Sequence, residues 1–200
     1  MIRTILASLL LSFSLVASSK TTLLEHIPLQ WRPTSDLRLG TAQMTVSLVT
    51  IATFTDGRDN KEVIGENREG DDPKPVTTSD DVGAFVSTHI RQLFSQAGIK
   101  TAEGNDGVTI QGEVKKFFVR ERDTYKSEVA IYLTVIDQSG KTLWKGLASG
   151  EATRFGRSYK AENYYEVLSD AVVNTVSSML QAADFQKAIS GRAIGSSKED

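Results

Sequence analysis

Apolar and polar positions alternate most regularly between Val108 and Phe155. Val108, Ile110 and Val114 share one phase, while Thr109, Gln111, Glu113 and Lys115 share the other. Val129, Ile131, Leu133 and Val135 repeat the pattern in the next segment. Side chains of a pleated strand point alternately to its two faces, so this spacing predicts half-buried strands. Three consecutive strands follow, VTIQGEVKKFFVR, KSEVAIYLTVID and KTLWKGLASGEATRF. Asp137-Gln138-Ser139-Gly140 makes a polar turn with glycine last, where positive φ is easiest. Arg120-Glu121-Arg122-Asp123 reads as a charged hairpin tip facing solvent.

Helical spacing flanks this meander. Val82, Phe85, Val86, Ile90, Leu93, Phe94 and Ala97 form an apolar stripe, preceded by Thr78-Ser79-Asp80-Asp81 and closed by Gly98. A hydroxyl cap and acidic groups suit the positive end of a helix dipole, and glycine suits its exit. A second helix is expected from a capping box at Asn163 to about Ala183, with Tyr164, Val167, Leu168, Ala171, Val172, Thr175, Val176, Met179 and Leu180 inward. Ala42 to Phe54 is rich in β-branched residues and reads as the first strand. Residues 55–78 read as a long, solvated polar loop. The expectation is an α+β, two-layer domain: a four-stranded, mostly antiparallel sheet with two helices packed on one face. Its span is 42–188, followed by a polar tail over 189–200.

The other sheet face holds Ala130, Tyr132 and Ile136, and strict alternation sends Phe117 and Trp144 there too. An apolar face without helices needs a cover. Two covers are open: the extended arm of residues 20–41, with Ile27, Leu29, Trp31 and Leu37, or a partner or ligand docking on Phe117, Tyr132 and Trp144.

The N-terminus changes the picture. Arg3 is followed by an apolar run from Ile5 to Val16 and by small residues, which is the pattern of a secretory signal peptide over residues 1–19. Leu15-Val16-Ala17-Ser18 has the shape of a bacterial lipobox with serine where the lipidated cysteine belongs, and serine offers no thiol for the anchor. An exported chain, periplasmic or associated with the outer membrane, is expected.

Composition narrows the chemistry. The 200 residues hold no cysteine, so neither disulfides nor thiolate metal sites are available. A net charge of −2 supplies no electrostatic footprint for nucleic acid. No nucleophile elbow, phosphate loop, dinucleotide fingerprint or zinc-protease helix occurs. Asp56, Asp59 and Asn60 lack the spacing of a calcium loop. His26 and His89 are the whole histidine inventory. The residues therefore point away from an enzyme and call for no cofactor and no metal. A binding protein comes first and a carrier of lipid or small molecules second.

Phe54-Thr55-Asp56-Gly57-Arg58, followed by Val63-Ile64-Gly65, resembles the YajG-type family of bacterial envelope lipoproteins. Gln96-Ala97-Gly98-Ile99 and Val108-Thr109-Ile110 fit the same family, over residues 42–188. The resemblance implies a compact α/β domain like those of other envelope assembly lipoproteins, and it carries no catalytic residues. Asp56, Arg58 and Gly65 are the shared feature. From the residues alone they read as a loop-fixing ion pair and a turn glycine.

Overall fold

The computed structural model describes residues 23–38, 48–102, 104 and 107–191. The signal-peptide reading lies outside those residues, as do residues 42–47 of the expected first strand and 192–200 of the expected tail, whose start at 189 falls in the last turn of a helix. Eight strands form one sheet, in the chain order β1 (Val49–Ile51), β2 (Thr55–Asp56), β3 (Val63–Asn67), β4 (Lys74–Thr77), β5 (Thr101–Ala102), β6 (Val108–Glu121), β7 (Thr124–Ile136) and β8 (Thr142–Phe155). Three helices complete the fold: α1 (Val82–Gln96), α2 (Ala161–Gln181) and α3 (Ala183–Ile189). The class is α+β, but the sheet has twice the expected strands and is partly parallel.

The spine is β6. Along one edge it pairs antiparallel with β7, which pairs with β8, so the predicted meander is present. Its other edge is covered in three parallel pieces: Val49 opposite Val108, Asp56 opposite Val114 and Gly65 opposite Val119. β5 extends the sheet beyond β1, and β4 extends it beyond β3. Residues 55–78 are therefore a structured margin of the sheet, not a free loop. Their polarity misleads because mainly Ile64 and Val76 face the core, while the rest of the attachment is main-chain hydrogen bonding to β6.

Between Val114 and Lys116 the β6–β7 register slips by one residue. Such a bulge moves every later side chain to the opposite face. Val108, Ile110 and Val114 face the helices before it; Phe117, Val119 and Glu121 do so after it. Phe117 is accordingly core, edge-on to Phe85 of α1 at 6.0 Å between ring centres. Glu121, read as part of an exposed tip, is fully buried.

Both helices cover the same sheet face. Asp81 caps α1 by accepting from the Ala84 amide at 3.0 Å, so the helix starts slightly later than the Thr78 or Ser79 expected. α2 begins at Ala161 with no side-chain cap, and Asn163 donates to Tyr125 Oη and Ser158 Oγ instead of capping. Its axis runs against Gly150 of β8, where an added Cβ would overlap the backbone at Ala171 and Thr175. α3 brings Phe185 edge-on to Trp144 at 5.3 Å, so Trp144 also lies on the helix side.

The arm forms a third layer on the outside of the helices and does not cross the open sheet face. Thr77 exchanges main-chain hydrogen bonds with Leu24 and Ile27, each at 2.9 Å. Trp31 then stacks on His89 of α1 at 4.2 Å. Further on, α2 receives the arm's amides: Ser169 accepts from Arg32, Ser177 from Arg38, and Asp170 from Thr34 and Ser35 at 2.7 and 2.8 Å. Ile27, Leu29, Trp31 and Leu37 do dock, but on this side.

Because the obstruction at Gly150 is backbone and cannot rotate away, Gly150→Ala should destabilise the domain by about 3 kcal/mol, the upper range for overpacking. Urea unfolding of the purified variant measures it, and a change below the error of the midpoint would show that α2 can lift off β8 freely.

Candidate functional site

The face of the sheet away from the helices is uncovered among the described residues. Its rows across β6, β7 and β8 follow the register: Glu113, Tyr132 and Leu147; Lys116, Ala130 and Ser149; Phe118, Glu128 and Glu151; Arg120, Lys126 and Thr153. Phe155 closes the far corner opposite Thr124. Tyr132 is 42 % exposed, Leu147 63 % and Phe155 88 %. Lys116 pairs with Glu128 across the strands, and Arg120 with Glu66 at 2.8 Å. A hollow of about 230 Å³ lies over Phe118 between these charged chains, and another of about 350 Å³ lies beside Tyr132. Both open to solvent. The surface can therefore bury apolar side chains within a frame of mixed charge.

Of the three residues expected to share this face, only Tyr132 lies on it. Phe117 is carried to the core by the bulge in β6, and Trp144 by a second irregularity where Ile136 pairs with Thr142 and Val135 with Trp144. Leu147 and Phe155 belong to the face and were missed. Both stand at alternate positions of β8, in phase with Lys145 and Glu151, which was the available signal.

Asp56 and Arg58 sit at the opposite margin, where β6 has no strand partner between the contacts with β2 and β3. Arg58 makes a two-pronged bond to Asp56, with Nε to Oδ1 at 2.9 Å and Nη2 to Oδ2 at 2.8 Å. Nη1 donates to Val63 O at 2.9 Å and Phe117 O at 3.4 Å, and Nη2 to Lys61 O at 2.5 Å. A planar five-donor group suits such a junction, and lysine could not reproduce it. Burial raises the Asp56 pKa, but the bonds from Arg58 outweigh it and the carboxyl stays below its ordinary value. Gly65 is not in a turn. It lies in β3, where a Cβ would press on the Tyr164 ring and Val119 O. Truncation by Arg58→Ala strands a largely buried carboxylate and should cost about 3–5 kcal/mol in a urea titration. A loss under 1 kcal/mol would show that the loop holds without it.

Glu121 is the other group with unusual chemistry. It is buried with no ion-pair partner among the described residues. Its Oε1 accepts from the amides of Ser158 and Tyr159 at 3.1 and 2.9 Å, and Oε2 accepts from Tyr164 Oη at 2.7 Å. Burial raises its pKa, yet the hydrogen bonds from Tyr125, Tyr164 and the Tyr159 amide prevail and hold it below the 4.5 of a free side chain. The same burial pushes the Tyr164 hydroxyl well above its usual range. These bonds fix the loop between β8 and α2, in which Tyr159 has φ of 41°. A carboxylate that serves as a fixed acceptor for two amides organises structure and is not free to move a proton.

The histidines lie on the arm side, away from the open face. His26 Nδ1 is 3.0 Å from Ser79 Oγ in an exposed position, with no carboxylate on its ring among the described residues. Burial against Trp31 lowers the His89 pKa. No group of three or more His, Asp or Glu residues could hold a metal ion among the described residues.

No protein-family model matches the sequence, and no curated protein matches it. Solved structures do match. A Xanthomonas campestris protein of the DUF330 family is 10% identical, with 80% of this chain and 94% of that one covered at a TM-score of 0.57. PelC from Paraburkholderia phytofirmans, solved as a dodecamer, is 14% identical over 74% of this chain and 95% of its own, at a TM-score of 0.42. Lipoprotein GNA1162 from Neisseria meningitidis is 13% identical over 66% and 99%, at 0.35. The first establishes a shared fold. The YajG-type resemblance rests on the sequence motifs.

Glu121 gives a pH test with a definite sign. A carboxylate whose pKa is lowered by folding contributes fully above its unfolded value, and the contribution is lost as pH falls through the lower folded value. Wild type should exceed Glu121→Gln by about 1–3 kcal/mol at neutral pH, with the gap narrowing below about pH 4.5. Paired unfolding curves at several pH values measure it. A gap that stays constant into strong acid would remove the carboxylate from the account.

Proposed function

We propose that this chain is an exported, non-enzymatic accessory protein of the bacterial envelope that binds another envelope protein through the open face of its sheet. The observation that carries the reading is the exposure of Tyr132, Leu147 and Phe155 on one face, while the apolar arm spends itself on the helices. Tyr132 and Leu147 stand side by side across β7 and β8, with Phe155 at the far end of the same face, and apolar side chains exposed in this way cost free energy in water that docking recovers. Aromatic anchors within a charged rim are the composition of a protein interface. The signal-peptide pattern and the envelope-lipoprotein motifs support the compartment. No described helix is long and apolar enough to cross a membrane. The hollows on the face open widely to solvent, which favours a protein partner over a carried lipid or small molecule, since carriers enclose most of their ligand.

The test is crosslinking in cells through a photoreactive residue at position 132, followed by mass spectrometry, with position 89 on the arm side as control. One recurrent envelope protein should be captured at 132 and lost in the Leu147→Ser/Phe155→Ser variant, which should unfold within about 1 kcal/mol of wild type because both side chains are exposed. Capture of lipid alone, or identical captures at both positions, would sink the proposal.

A further inference from the structure

β8 runs for 14 residues and, among the described residues, pairs only with β7. A long unpaired strand edge is a template for another strand, and proteins that keep one exposed usually blunt it with proline, bulges or inward charges. From Trp144 to Phe155 β8 has no proline and no register slip, so it stays regular. Its outward main-chain groups can be assigned. Asn174 Nδ2 of α2 reaches Glu151 O at 2.8 Å, so the Glu151 carbonyl points away from β7. By alternation the outward groups belong to Lys145, Leu147, Ser149, Glu151 and Thr153.

We propose that two copies of this chain join edge to edge through β8, antiparallel, on a two-fold axis at Ala148. That axis sets Leu147 opposite Ser149 and Lys145 opposite Glu151, each twice, and every one of these is an outward-pointing residue; the Glu151 carbonyl, which already accepts from Asn174, would take the Lys145 amide of the other copy on its second lone pair. The charges choose the register. Moving the axis to Leu147 places Glu151 against Leu143, and moving it to Ser149 places Glu151 against Leu147. Neither Lys145 nor Glu151 has an ion-pair partner among the described residues. Glu151 lies beside Glu128 on the same face, a like-charge neighbour that a cation from another copy would relieve. On the helix side the residues nearest the axis are Gly146, Ala148 and Gly150, with the Trp144 ring lying over Gly146 and Asn174 of α2 at the Glu151 carbonyl. A two-fold interface is self-complementary by construction, which is what a strand carrying Lys145 and Glu151 equally spaced about its centre provides. The pairing uses the main-chain edge of β8, but the side chains of Leu147, Ser149 and Glu151 also line the open face, so association is read on the pure protein with no partner present.

Sedimentation equilibrium on the purified protein tests it. Wild type should be a dimer. Lys145→Glu places two acidic groups opposite each other twice and should weaken association about tenfold or more, with an unchanged circular dichroism spectrum. Adding Glu151→Lys in the same chain should restore the dimer. A monomeric wild type, an assembly that Lys145→Glu leaves intact, or a double variant that fails to recover would each overturn the proposal.

Discussion

One extra residue in β6 decides what this domain shows to solvent and what it hides. Had the strand kept its period through Lys115, Phe117 and Val119 would have faced water, and Lys116, Phe118 and Arg120 would have faced the helices. The bulge reverses that assignment halfway along the sheet's longest element. It also leaves β6 without a strand partner on its other edge between Val114 and Val119. Arg58 fills that gap by donating to Phe117 O, with Asp56 fixing the guanidinium. The buried ion pair and the bulge are thus one device. The pair satisfies main-chain acceptors that a continuous neighbouring strand would have taken, which is where a buried arginine repays its desolvation.

Glu121 follows from the same shift. A carboxylate at the end of a strand is ordinarily a solvated tip, and here the altered phase turns it beneath the loop that leads into α2. The site is tolerable because both carboxylate oxygens find donors that are already positioned, two amides on one and a tyrosine hydroxyl on the other. The loop gains a rigid acceptor, so Tyr159 holds a left-handed backbone and its hydroxyl receives the Leu24 amide at 3.2 Å. The first described turn of the arm is therefore tied, through two side chains, to the far end of β6.

The strongly periodic parts of this fold were legible. The three-strand meander, the stripe of α1 and the turn at Asp137–Gly140 came from spacing that tertiary context did not disturb. What was hidden has a common cause. Residues 55–78 attach by backbone bonds and one buried ion pair, which leave little apolar periodicity. Phe117, Trp144 and Glu121 lie beyond register slips, and alternation carries no information about where a slip occurs. Motif reading found Asp56 and Arg58 as a loop-fixing ion pair but could not place Arg58's acceptors at Val63 and Phe117, which are backbone atoms supplied by folding. The arm's apolar residues were seen, but their destination depended on Ser169, Asp170 and Ser177, polar groups beside the α2 stripe that was read as core.

The placement of the arm bears most directly on function. An extended segment with four apolar side chains could have been laid over the exposed face, which would have left an ordinary closed sandwich. It is held on the helices instead by hydrogen bonds from its main chain to α2, and that geometry is specific: Ser169, Asp170 and Ser177 are the acceptors along the covered flank. α2 is consequently enclosed by the sheet on one side and the arm on the other, so the domain completes its core without drawing on the open face. Tyr132, Leu147 and Phe155 contribute little to folding where they stand. Their exposure is not a remainder of poor packing, since Ala130 between the same strands is closely covered by its neighbours. Among the described residues the apolar arm is committed to the helices, and the face that carries Tyr132 and Leu147 stays open to solvent.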